Sequence, residues 1–231
     1  MLKFDPYYFQ CPICHAWLEG RNLKPELINE SILYSDGKVL NDNYITTRQK
    51  MILCPSCAHT FWVEDPEKVN FTTQKPDADI YSWNTWRFYG IHFSSNEGHL
   101  ALISHYNKFL SNQKYDAEKE IYFRRFLWWA YNDLVRYRSQ MSFKCLISGQ
   151  MSFLVWYRNR KRLKKGLELF LQHHEDFVNN LRRLLALIEN RYTEDDEEFE
   201  ATNLEVMEIY REIGEHEKAA ELLGQVTRRT H

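Results

Sequence analysis

The sequence predicts a mainly α chain with a small N-terminal β module (α+β), and three observations carry that expectation. Two Cys-Pro-x-Cys turns, Cys11-Pro12-Ile13-Cys14 and Cys54-Pro55-Ser56-Cys57, lie near the start, each between short β-forming segments. From Glu97 onward the apolar residues recur at helical rather than alternating spacing. After Pro66 the composition changes, and Thr72-Thr73-Gln74-Lys75-Pro76-Asp77-Ala78-Asp79 reads as a connector. The expected division is a β module over 1–70, an aromatic linker over 71–96 and a helical domain over 97–231.

Each cysteine turn presents two thiolates at the separation one tetrahedral ion requires. Tyr7-Tyr8-Phe9 and Met51-Ile52-Leu53 lead into the turns, and Trp17-Leu18-Glu19 and Phe61-Trp62-Val63-Glu64 follow them, the second after two extra residues. The pattern is strand, knuckle, strand, twice over. Together Cys11, Cys14, Cys54 and Cys57 complete a four-sulfur shell for one Zn²⁺ with no position left for water, which is a structural rather than a catalytic site. A redox dithiol of the thioredoxin kind needs a helix directly after the motif, whereas strand-like residues follow both copies. Disulfide pairing suits a secreted protein, and Met1-Leu2-Lys3-Phe4-Asp5 lacks the apolar run of a signal peptide. His15 and His59 flank the knuckles but are superfluous as ligands, and Cys145 reads as a small buried hydrophobe.

Between the knuckles, Ile32-Leu33-Tyr34-Ser35-Asp36-Gly37-Lys38-Val39-Leu40 places an Asp-Gly pair between β-formers, a hairpin signal of the primed-turn type. The long spacer is then a folded insertion. Closing it costs entropy that grows slowly with length, while structural zinc contributes about 10–16 kcal/mol of apparent binding energy at neutral pH.

Leu100, Leu102, Ile103, Tyr106, Phe109 and Leu110 predict one helix ending near Ser111-Asn112. Ile121 to Arg138 predicts a second, apolar nearly all round at Phe126-Leu127-Trp128-Trp129-Ala130-Tyr131 and therefore central. Gly166 to Asn190 predicts a third, with Leu167, Phe170, Leu171, Phe177, Leu181, Leu184, Leu185 and Ile188 as its buried stripe. Trp83, Trp86 and Phe88 are expected to pack the β module against the chain downstream of them. The stretch Cys145 to Tyr157 is too short and polar to span a membrane, so the cytoplasm is the expected location.

The chain has 231 residues and a net charge of only −2, but the charge is unevenly spread. Residues 1–133 hold 14 basic and 16 acidic side chains, residues 134–167 hold nine basic and no acidic ones, and the remainder holds 7 and 16. The dense part is Arg158, Arg160, Lys161, Arg162, Lys164 and Lys165, just after Phe153-Leu154-Val155-Trp156-Tyr157. Such a stretch contacts phosphates or another anionic partner, or it is a solvated helix face paired with the acidic run at 194–200. Phosphate-loop, nucleophile-elbow and His-Glu-x-x-His motifs do not occur. His173-His174-Glu175-Asp176 puts adjacent residues about 100° apart on a helix, which suits surface polar groups better than a second metal site.

Near the C-terminus, Tyr210, Gly214 and Ala219, with Val206 before and Leu223 after, have a spacing that resembles the tetratricopeptide repeat, here one copy over 197–229. With Tyr8-Phe9-Gln10-Cys11-Pro12, Ser35-Asp36-Gly37-Lys38, Cys54-Pro55-Ser56-Cys57 and Trp128-Trp129-Ala130-Tyr131-Asn132-Asp133, the chain resembles a group of bacterial proteins of uncharacterised activity. These join an N-terminal double Cys-Pro-x-Cys zinc ribbon to a tetratricopeptide-like helical region. The resemblance implies architecture, and helical hairpins imply a groove for a protein partner. The functional expectation is a non-enzymatic zinc-ribbon adaptor that binds a protein through its helical region. The alternative is an RNA- or DNA-binding protein using the ribbon and the basic stretch 158–165.

Overall fold

Aromatic and branched residues on both sides of each cysteine pair form strands, and these pair across the knuckle they flank. In the computed structural model, described over residues 4–23, 31–41, 51–54, 56–57, 60–62, 71–82, 96–112, 115–136, 152–191 and 199–229, the chain divides into two compact units, 1–90 and 91–231. The architecture is mainly α with a small N-terminal β part.

In the first unit, β1 (Phe4–Gln10) runs antiparallel to β2 (Trp17–Leu23), with Gln10 opposite Trp17. A hairpin of the spacer, β3 (Ser31–Leu33) and β4 (Val39–Asn41), comes next, followed by β5 (Met51–Leu53) antiparallel to β6 (Thr60–Trp62), with Leu53 opposite Thr60. The knuckles at 11–16 and 54–59 therefore have equal length. The two extra residues expected after the second are not an insertion: Trp17 corresponds to Thr60 and Leu18 to Phe61. The reason is the two-residue period of a strand, which sends the second residue of each outgoing strand inward. Leu18 and Phe61 are both buried, and with Phe9, Cys11 and Cys54 they form one core, against which Tyr7 and Ala16 pack. The Phe9 and Phe61 rings meet edge to face at 6.2 Å.

Residues 71–82, expected to be connector, supply β7 (Phe71–Thr72), antiparallel to β1, and β8 (Ile80–Ser82), parallel to β2. The sheet order is β7-β1-β2-β8, so its sequence runs beyond the boundary expected at 70. Main-chain groups on the open edges of β1 and β2 take these partners whatever the polarity of the residues between them. In the β3–β4 hairpin the Tyr34 N–H donates to the Lys38 carbonyl at 2.9 Å and the Gly37 N–H to Tyr34 at 3.0 Å. Gly37, at φ 75°, follows the turn instead of sitting inside a two-residue primed one, giving the three-residue loop in which glycine takes the left-handed position. The Lys38 N–H also donates to Asp36 Oδ1 at 3.2 Å, which fixes the aspartate of the pair.

The second unit contains α1 (Asn96–Asn112), α2 (Ala117–Asp133), α3 (Phe153–Gln172), α4 (His174–Arg191), α5 (Phe199–Glu212) and α6 (His216–Arg229). Asp116 caps α2 by accepting the Lys119 N–H at 2.9 Å. As its composition demands, α2 is central: it packs on α1 and α4 and buries Phe123, Leu127, Trp128 and Tyr131. It ends at Asp133 rather than Arg138, with Leu134 as its C-cap.

The helix expected over 166–190 is two helices. Their junction is His173, at φ −106° and ψ 14°, whose N–H is shared between Leu169 and Phe170 carbonyls at 3.2 Å. Of the expected stripe, Phe177, Leu181, Leu184, Leu185 and Ile188 are buried on α4, but Leu171 at the end of α3 is 62% exposed because the chain turns there. Helices α5 and α6 form a hairpin closed by Gly214 at φ 85°. The Gly214 N–H returns to Arg211 at 3.3 Å and the Glu215 N–H to Tyr210 at 2.9 Å, a Schellman cap. Trp83, Trp86, Phe88, His59, Cys145 and residues 194–198 of the acidic run lie outside the described residues.

Candidate metal centre

The first knuckle is closed by its own backbone. The Cys11 N–H donates to Ala16 and the His15 N–H to Cys11, both at 3.0 Å, while Gln10 Nε2 reaches the His15 carbonyl at 3.3 Å. Closing so tight a turn forces His15 to φ 56°, a left-handed conformation that glycine adopts freely and histidine at a cost of about 1–2 kcal/mol. The turn aims both sulfurs of the pair the same way.

The four sulfurs converge. All lie within 4.8 Å of one another, and the short contacts run between knuckles, Cys11 to Cys57 at 3.7 Å and Cys14 to Cys54 at 3.6 Å. A disulfide requires about 2.05 Å, so these are free thiols. A tetrahedron with its centre about 2.3 Å from each sulfur has edges of about 3.8 Å, close to both contacts. The first cysteine of each pair, Cys11 and Cys54, is buried in the core, while Cys14 and Cys57 stand at the surface.

Burial sets the acid–base character of the inner pair. It pushes the Cys11 thiol up and that of Cys54 to about 12, since a thiolate in an apolar core lacks solvation. At the rim, backbone hydrogen bonding at Ala16 leads in lowering Cys14 to about 6. A cation at the centre reverses the penalty on the inner pair, because a coordinated thiol is deprotonated outright. Four soft sulfur donors in this arrangement fit a metal ion of the tetrahedral thiolate-binding kind. Among the described residues no other set of three or more His, Cys, Asp or Glu side chains converges in this way.

The six cations singled out in the sequence all lie on α3, in the second unit. Lys165 Nζ contacts Glu97 Oε1 at 2.8 Å, and the Arg160 guanidinium sits 5.0 Å from the centre of the Trp156 ring. Among the described residues, Arg158, Arg160, Lys161, Arg162 and Lys164 have no ion-pair partner. Of the His-His-Glu-Asp run, His173 Nδ1 lies 3.5 Å from Asp176 Oδ2 and the His174 ring packs 6.0 Å from Phe170. These are contacts of a helix junction.

Sequence reading did not find the polar pairs that lock the helices together. Glu212 on α5 accepts from Trp128 Nε1 at 2.6 Å and Asn132 Nδ2 at 3.1 Å, and Glu205 takes Arg125 through two bonds of 2.6 and 2.7 Å. Glu120 binds both Arg124 at 2.8 Å and Arg183 of α4 at 3.0 Å. Most of these partners lie tens of residues apart, so only the i,i+4 pair Glu120–Arg124 had a local signature. The chain matches no family model, and no significantly similar curated protein or solved structure was found.

Proposed function

We propose that the four cysteines hold one structural Zn²⁺, which completes a ribbon-like module, and that the protein is a non-enzymatic adaptor whose helical unit binds a protein partner in the cytoplasm. The observation that carries the metal reading is the pair of inter-knuckle sulfur contacts at 3.6 and 3.7 Å, which match the edges of a zinc–thiolate tetrahedron. Iron shares that geometry, and zinc is favoured because it binds thiolates without redox chemistry, as a purely structural ion should. Four sulfur ligands leave no position for a reacting water, and ligand thiolates persist where the surroundings are reducing.

The partner reading rests on the helical unit. Its last hairpin, α5–α6, has the Tyr210, Gly214 and Ala219 spacing of a tetratricopeptide-like unit, and stacked helical hairpins characteristically offer extended surfaces to peptides. Metal analysis of protein purified without chelator should give one zinc per chain. Affinity capture with the full chain should recover a defined, stoichiometric protein. Finding iron would refute zinc, and recovery of nucleic acid alone would refute the adaptor. That second result would favour the alternative, an RNA- or DNA-binding protein, which one observation supports: five cations of α3 without an ion-pair partner among the described residues.

A further inference from the structure

Helix α3 combines exposed apolar side chains with five cations that have no ion-pair partner among the described residues. Its first turns expose Phe153 at 60%, Leu154 at 74% and Tyr157 at 58%, where solvent contact is unfavourable for such groups. Next along the axis come six cations within eight residues, five of them without an ion pair among the described residues. Arg158–Arg162, Arg160–Lys164 and Lys161–Lys165 are like-charge neighbours at four-residue spacing, an arrangement that disfavours the helix unless an anion relieves it. At the pitch of an α-helix, Phe153, Leu154, Tyr157, Arg158, Lys161, Lys164 and Lys165 fall within about 140° of arc, opposite the buried Trp156 and Gly166. One face therefore carries both features over about 18 Å.

We propose that this face of α3 docks an acidic, amphipathic segment of a partner protein. Apolar side chains of the segment cover Phe153, Leu154 and Tyr157, and its carboxylates lie along Arg158, Lys161 and Lys164. The inference rests on the adaptor reading and specifies the partner's chemistry. Charge complementarity requires an anion, and the exposed aliphatic Leu154 favours a protein over a nucleic acid, whose bases stack on rings and whose phosphates take cations. Outside residues 134–167 the chain is net acidic, nearly balanced before them with 14 basic against 16 acidic side chains and strongly acidic after them with 7 against 16. A long polyanion meets that repulsion, whereas a short segment within a Debye length of about 8 Å feels chiefly α3. An interfacial membrane helix inserts an apolar face along its length, whereas the exposed apolar side chains of α3 are confined to its first turns and give way to cations.

The test is fluorescence anisotropy with the full chain and four probes. These are a labelled peptide of Glu with Leu at helical spacing, a polyglutamate and a uridine oligonucleotide, each of about 16 residues, and phosphatidylcholine vesicles with about one third phosphatidylserine. The Glu/Leu peptide should bind at least about tenfold tighter than polyglutamate or oligouridine, and more weakly as salt rises from about 50 to 300 mM. R158E/K161E/K164E should weaken it at least about tenfold, and F153S/L154S/Y157S at least about fivefold, with helical circular dichroism unchanged. If charge reversal disturbs folding, R158Q/K161Q/K164Q should still weaken binding by at least about threefold. Tighter binding of oligouridine or vesicles, no binding of the Glu/Leu peptide, or affinity indifferent to every variant overturns the proposal. A stoichiometric partner captured equally by the wild-type and charge-reversed chains also overturns it, while leaving the adaptor reading intact.

Discussion

Cys14 and Cys54 belong to different knuckles, yet their sulfurs stand 3.6 Å apart, one at the surface and the other in the core. That contact joins the two hairpins that share the Phe9, Leu18 and Phe61 core. A core of this size contributes little alone, so the ion is expected to supply much of the first unit's stability. Serine at Cys11 or Cys54 should abolish stoichiometric metal and unfold the first unit while the helices persist. Metal analysis, together with heteronuclear NMR to follow each unit, checks this. Strand resonances that survive without metal would contradict it. Because protons compete for thiolates, metal should also be released as pH falls, never as it rises toward neutrality.

His15 is strained rather than ligating. Its φ of 56° is one that glycine adopts without penalty and a β-branched residue scarcely at all. H15G should keep one metal per chain and leave the first unit equally stable or more stable by about 1 kcal/mol, the relief being partly offset by unfolded-chain entropy. H15V should also keep the metal but lose about 1–2 kcal/mol. Loss of metal in both variants would instead make His15 a ligand. Chemical denaturation of the metal-loaded chain separates these results.

What could be read from the sequence was whatever depends on short spacing. The four cysteines, the strands beside them and the Asp36-Gly37 hairpin are local patterns, and so is the all-round apolar run that makes α2 central. The break at His173 was not legible, since neither Gly nor Pro marks it and periodicity continues on both sides. Matching Trp17 to Phe61 by aromatic character hid the equal knuckles, which only the strand register reveals. Edge strands β7 and β8 escaped because main-chain pairing leaves little trace in side-chain pattern.

Gly166, legible only as a helix start, is a mid-helix close approach. A Cβ there would collide with the backbone carbonyl oxygen of Leu134, the C-cap of α2, and lie 3.3 Å from Asn96 Oδ1. Asn96 in turn donates to the Arg162 carbonyl at 2.9 Å, so α1, α3 and the end of α2 meet at this point. Ala is the better helix former in general, by about 1 kcal/mol. G166A should nonetheless destabilise the second unit by about 2–3 kcal/mol, because a backbone atom cannot rotate away. A stabilising G166A in urea denaturation would show that α3 does not approach α2 so closely.

Glu120 ties two helices through Arg124 of its own helix and Arg183 of α4. The Arg183 hydrogen bond is the largest cause holding its carboxyl below the usual range, and Arg124 adds to it. A depressed folded pKa contributes stability above the unfolded value, near 4.3, and that stability is lost as pH falls through the folded value. E120Q should therefore destabilise the second unit at neutral pH by about 1 kcal/mol, a modest figure because Arg183 is more than half exposed and screened. The gap between wild type and E120Q should stay constant above about pH 5 and close as pH falls below about 4. R183Q should show the same convergence, since both variants remove one interaction. Urea denaturation followed by helical circular dichroism between those limits checks it, and a gap that widens on acidification would mean the Glu120 carboxyl is raised rather than lowered.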